Sequence, residues 1–134
     1  MKTIAIAAGL ATIASTALAE TPVLTIYTYD SFVSDWGPGP AIEAAFEESC
    51  GCDLQFVAVG DGAELLARLR LEGARSEADI ALGLDQNLIA AASETGLFAP
   101  AGIETPSYDL PIAWSDETFL PYDWGWFAFV YDKE

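Results

Sequence analysis

The sequence predicts an α/β domain built on an open, mostly parallel sheet. Runs rich in β-branched and aromatic residues alternate with amphipathic helical stretches in the order β-α-β-α-β-α, and each join carries glycine, proline, aspartate or serine turn chemistry. The element lengths suit right-handed crossovers between parallel neighbours. With 134 residues, 52% hydrophobic and 19% charged, the chain supports a single core, and it contains no internal repeat or low-complexity tract.

The first 19 residues stand outside that fold. Lys2 precedes an alanine-rich apolar run over residues 4–18, and Ala17-Leu18-Ala19 offers the small residues that signal peptidase needs, so cleavage is expected before Glu20. The run is short for a membrane span and meets polar Glu20-Thr21 with no basic flank. Residues 1–19 are therefore an expected export signal and residues 20–134 the expected folded unit.

Val23, Thr25, Ile26, Tyr27 and Tyr29 make residues 23–29 a buried first strand after Pro22. Trp36-Gly37-Pro38-Gly39-Pro40 is a turn, with Pro40 placed to open a helix whose apolar stripe is Ile42, Ala45 and Phe46 and whose end falls near Ser49-Cys50-Gly51. Residues 54–59 form the second strand and Gly60-Asp61-Gly62 a tight turn. Residues 63–72 form the second helix, with Leu65, Leu66 and Leu69 inward, Glu64 and Arg68 four apart on the exposed side, and Gly73 as its stop. Residues 78–83 supply the third strand, and Asp85 is placed to cap a third helix that runs through Ala92 and ends by Gly96. A proline-bearing loop over 100–111 follows, then a strand candidate at 119–122 and an apolar aromatic run over 124–131, whose residues 127–131 read as a strand.

Composition excludes several function classes. Five basic against 21 acidic residues give a net charge of −16, which repels phosphate backbones and anionic lipids, so nucleic acid is not an expected partner. Loss of residues 1–19, Lys2 among them, leaves 115 residues with four basic and 21 acidic side chains, a charge of −17. No histidine is present, which removes Ser-His-Asp and Cys-His catalysis and His-ligated zinc. Export makes a local Cys50–Cys52 disulfide plausible although Cys-X-Cys closes a very small ring. A metal held by the two thiolates is the alternative, and it lacks the further ligands that a structural zinc site needs.

Open parallel sheets bind ligands outside the carboxyl ends of their strands. Here those ends are Tyr29-Asp30-Ser31-Phe32, Gly60-Asp61-Gly62 and Gly83-Leu84-Asp85. Each pairs a flexible or small residue with a carboxylate, so a cationic or amine-bearing ligand finds acceptors there, and Tyr29 and Trp36 can stack on it. Each candidate also has a purely structural explanation. Asp61 and Asp85 stand at helix N-caps, Tyr29 can be core, Gly62 can serve backbone geometry, and Trp36 can close a loop. Asp30, Asp61 and Asp85 do not have the spacing of an EF-hand, so no metal site is expected, and Gly37-Pro38-Gly39-Pro40 lacks the residues of a phosphate-binding loop.

The blocks Leu24-Thr25-Ile26-Tyr27-Thr28-Tyr29-Asp30-Ser31-Phe32, Trp36-Gly37-Pro38-Gly39-Pro40, Asp61-Gly62, Ala81-Leu82-Gly83-Leu84-Asp85-Gln86-Asn87-Leu88, Thr95-Gly96-Leu97-Phe98 and Phe127-Ala128-Phe129-Val130-Tyr131-Asp132-Lys133 resemble the thiamine-binding periplasmic family of bacterial ABC transporters. Cys50 and Cys52 match its Cys-X-Cys. The resemblance implies a periplasmic-binding-protein type II-like open sheet, here the N-terminal lobe with the second lobe truncated. It implies a periplasmic receptor, not an enzyme, that needs no cofactor. Such a receptor binds thiamine, thiamine monophosphate or thiamine diphosphate, works as a monomer at full length, and delivers its ligand to the permease in the inner membrane. It further assigns ligand contact to Asp61 and Gly62, with Tyr29 in the same cleft wall; Asp30, Trp36 and Asp85 are ligand candidates from their place at the strand-end turns and the loop alone. Competing expectations are a receptor for another cationic solute, such as polyamine or iron, and a small exported hydrolase using Asp30 and Asp61 as paired carboxylates.

Overall fold

A computed structural model describes residues 20–103, 109–126 and 128–133. The expected export signal over 1–19 lies outside the described residues. Strands β1 (Val23–Thr28), β2 (Asp53–Ala58) and β3 (Ile80–Leu82) alternate with helices α1 (Gly39–Cys50), α2 (Gly62–Glu72) and α3 (Ile89–Ser93). Among the described residues the sheet has three strands in the order β2-β1-β3, and both pairings are parallel. β1 is thus central, with Ile26 opposite Phe56 on one side and Ile80 on the other.

The core lies between the sheet and α2. Tyr27, Leu65 and Leu69 are buried together, with Val57, Ala81 and Phe98 packed around them, so the expected inward leucines of α2 do turn inward. Burying each of these leucines contributes roughly 1.5–3 kcal/mol. On the other side of β1, Phe32 is buried, its ring meeting Phe56 edge-on at 5.4 Å.

Several sequence expectations are corrected. The stripe Ile42, Ala45 and Phe46 of α1 is exposed, while Gly39, Glu43 and Glu47, spaced by four, are the less exposed face. The cause is that β2 is a sheet edge: Glu47 Oε1 accepts from the Leu54 amide at 2.9 Å and so satisfies an edge donor. Arg68 pairs with Glu72 at 2.7 Å rather than with Glu64, and it lies over the Tyr27 ring, 4.4 Å from its centroid. Asp85 does not cap α3. Its side chain accepts from the Asn87 amide at 2.7 Å and its carbonyl from the Leu88 amide at 2.9 Å, so a turn precedes a helix that starts only at Ile89. Residues 119–122 are not a strand, and of the 127–131 run Phe127 lies outside the described residues while 128–131 form no ladder. Their apolar side chains have no strand partner among the described residues, and Phe129 and Val130 are fully exposed.

Cys50 and Cys52 form a disulfide with Cα atoms 5.2 Å apart. It closes across Gly51, whose left-handed φ of 62° ends α1 and whose amide donates to the Glu47 carbonyl.

Candidate ligand-binding site at the strand ends

Because all three strands run parallel, their carboxyl ends emerge on one side of the sheet, and the following turns lock to one another. After β1, the Asp30 amide donates to the Gly60 carbonyl at 2.9 Å, and the Gly60 amide donates back to Asp30 Oδ1 at 3.0 Å. Asp30 thus ties the first turn to the second. Asp61, the N-cap of α2, has extended backbone, and its Oδ1 accepts from the Ala63 and Glu64 amides, each at 2.9 Å. That arrangement holds an anionic carboxylate against the positive end of an 11-residue helix.

The second and third turns meet at glycine. A methyl group on Gly62 would lie 2.6 Å from the Gly83 carbonyl oxygen, so only glycine allows this approach of backbone to backbone. Gly83 in turn has φ of 111°, in the region that favours glycine, and the Tyr29 ring covers it. Tyr29 is half-buried, and its ring meets that of Phe32 in a T-shaped contact, 5.6 Å between centroids.

An open groove of about 1300 Å³ runs the length of β3, from Gly73, Ser76 and Asp79 ahead of the strand to the turn that follows it. Tyr29, Gly83 and Asp85 line it from the strand ends, and Tyr122, Asp123 and Trp124 close it from the segment that follows. Burial, and then the charges of Asp123 and Tyr122, push the Tyr29 phenol above the ordinary tyrosine value. Among the described lining residues there are three aspartates, Asp79, Asp85 and Asp123, and no lysine or arginine. Such a wall favours a cation and offers aromatic faces for a ring.

The expected site residues thus divide. Tyr29 and Asp85 line the groove. Asp61, Gly62 and Asp30 stand in the adjoining turns without lining it, with Asp61 and Asp30 engaged in backbone hydrogen bonds. Trp36 is 81% exposed and lies outside the groove. Sequence reasoning missed Tyr122, Asp123 and Trp124 as groove residues, although the Tyr122-Asp123-Trp124 cluster of aromatic and acidic side chains was itself the available signal. Among the described residues no group of three or more carboxylates or cysteines is arranged to hold a metal ion.

A parallel β2-β1-β3 sheet with helical crossovers is the open α/β arrangement of a periplasmic-binding-protein type II-like lobe. A solved structure titled "Periplasmic thiamin binding protein" superposes with a TM-score of 0.74 at 52% identity, covering 86% of this chain and 35% of that one. A Trichodesmium protein, IdiA (FutA), solved with iron and citrate, matches at a TM-score of 0.52 and 26% identity over 62% of this chain and 25% of that one. No protein-family model matches. The thiamine-binding periplasmic protein of Escherichia coli is 58% identical over 112 residues, which are 84% of this chain and 34% of that protein. Those of Brucella abortus and Haemophilus influenzae are 55% and 44% identical over 111 and 130 residues. The chain spans about a third of the length of the Escherichia coli and Brucella relatives and 39% of the Haemophilus one. Over that third it is a homologue of the thiamine-binding periplasmic proteins.

Proposed function

We propose that this chain carries the strand-end part of a thiamine site in a periplasmic solute receptor of an ABC importer. The observation that carries the reading is the groove wall, aromatic at Tyr29 and Trp124, acidic at Asp85 and Asp123 and without a basic side chain among its described residues, in a chain 58% identical to a thiamine-binding protein. Thiamine combines a fixed thiazolium charge with an aminopyrimidine. Carboxylates suit the amino group as acceptors: Asp85 and Asp123 on the groove wall, and Asp61 from the adjoining turn, which Gly62 lets approach the Gly83 backbone closely. In this reading residues 1–19 direct export, residues 20–134 form one lobe, and delivery is to a membrane permease without bond chemistry. Thiamine phosphates belong to the same ligand class, but the described groove wall supplies no cation for a phosphate.

Thermal-shift screening tests the proposal. Thiamine is expected to raise the unfolding midpoint in a concentration-dependent way, whereas putrescine, ferric ion and an oligosaccharide leave it unchanged. Stabilisation by putrescine or ferric ion in place of thiamine would transfer the site to another cationic solute, and stabilisation by the oligosaccharide would favour the carboxylate hydrolase.

A further inference from the structure

The three strand-end turns are held in series by two contacts that only glycine permits. The backbone of Gly62 lies under the carbonyl of Gly83, and the bare Cα of Gly83 lies under the ring of Tyr29. A methyl group on Gly83 would overlap Cδ1 of that ring and stand 2.8 Å from Cε1. The ring cannot retreat freely, because Phe32 meets it edge-on and Tyr122 and Asp123 stand near its phenol. Phe32 is itself buried, packed against Phe56 and Tyr122 at 5.4 and 5.7 Å.

We propose that Gly83 is a positioning residue of the groove: its missing side chain sets where the Tyr29 ring lies and couples that ring to the Asp61-Gly62 turn. The affinity part of this proposal rests on the thiamine reading; the geometric part does not. A side chain at Gly83 moves the ring into the groove and pulls the third turn away from Gly62, so one substitution disturbs both the groove wall and the turn that carries Asp61. Gly96 provides the control. It has a left-handed φ of 66° with nothing within 4 Å of an added methyl group, and it does not line the groove. Gly96→Ala therefore carries the backbone cost of a positive φ without displacing a ring.

The test uses the whole chain and two readouts. In NMR spectra the Tyr29 ring resonances, assigned by their loss in Tyr29→Leu, are expected to shift in Gly83→Ala and to stay in place in Gly96→Ala. Thiamine affinity is expected to fall by about tenfold in Gly83→Ala, to hold in Gly96→Ala, and to show no further loss when Gly83→Ala is added to Tyr29→Leu. An unmoved Tyr29 ring in Gly83→Ala overturns the proposal. So does a shifted ring with unchanged affinity, or an undiminished effect of Gly83→Ala in the Tyr29→Leu background. Should the wild-type chain not bind thiamine, the functional reading fails and the ring resonances alone decide the geometric claim. Should Gly83→Ala not fold, the double variant decides: recovery of the fold on removal of the ring supports the clash, and continued unfolding overturns it.

Discussion

Asp61 Oδ1 accepts from two amides at the start of α2, and an asparagine in its place keeps that acceptor while removing the charge. Asp61→Ala is therefore expected to lose about 1 kcal/mol in urea denaturation, whereas Asp61→Asn stays within a few tenths of a kcal/mol of wild type. Both should weaken thiamine binding if the carboxylate recognises the ligand. Full affinity in Asp61→Asn would leave capping as its role. The phenol of Tyr29 gives a second handle. Its value is raised in the folded state, chiefly by burial, so its contribution to stability is complete below the ordinary tyrosine value and is lost as pH rises through the folded one. Ultraviolet titration should show the Tyr29 phenol ionising late, and Tyr29→Phe should abolish that step and its share of the alkaline loss of stability. An ordinary titration at Tyr29 would mean that the ring does not pack as described. The Asp61 cap was legible in the sequence because it is local, an aspartate four residues before the leucine-rich helical stripe that starts at Leu65. The contacts of Gly62 with Gly83 and of Gly83 with Tyr29 were not, since they join turns far apart in the chain.

At the scale of elements, α2 behaves as its pattern says and α1 does not. Leu65, Leu66 and Leu69 recur at helical spacing and meet the centre of the sheet. In α1 the same kind of spacing in Ile42, Ala45 and Phe46 faces outward, because the helix turns Glu43 and Glu47 to the edge strand β2 and leaves its apolar side unpartnered among the described residues. Hydrophobic periodicity counts residue types and cannot see that an edge amide needs an acceptor. The Cys50–Cys52 bridge joins the end of α1 to the start of β2. A loop of this length removes little chain entropy, and the loop-entropy relation assigns it about 1–2 kcal/mol. Reduction should thus lower the denaturation midpoint modestly while far-ultraviolet circular dichroism is retained. Global unfolding on reduction would show that the bridge is needed to hold α1 against β2.

For the whole molecule, the parallel α/β architecture was legible from alternation alone, and the order β2-β1-β3 places the three turns side by side. The last segment was not legible in the same way. The aromatic run over 124–131 has strand composition, but a strand exists only with a partner edge, and its described residues pair with none. Trp124, Trp126, Phe129, Val130 and Tyr131 together present a large exposed apolar surface. Residues 20–134 expressed alone should therefore bind a hydrophobic dye and self-associate in sedimentation experiments, and Phe129→Ser with Val130→Ser should reduce both. A monodisperse chain that binds no dye would contradict that exposure. Trp36 was expected near the ligand on the strength of its aromatic type; it lies outside the groove, whose aromatic lining includes Tyr29, Tyr122 and Trp124.

In the proposed receptor the groove beside β3 receives the thiamine cation. Amide NMR shifts during a thiamine titration test it most directly, because they report weak as well as tight binding and assign it to residues. Saturable shifts are expected at Tyr29, Gly62, Gly83, Asp85 and Asp123, with none at Ile42 or Phe46 on the outer face of α1. Shifts confined to α1, or no saturable shift anywhere on adding thiamine, would show that the groove does not bind it.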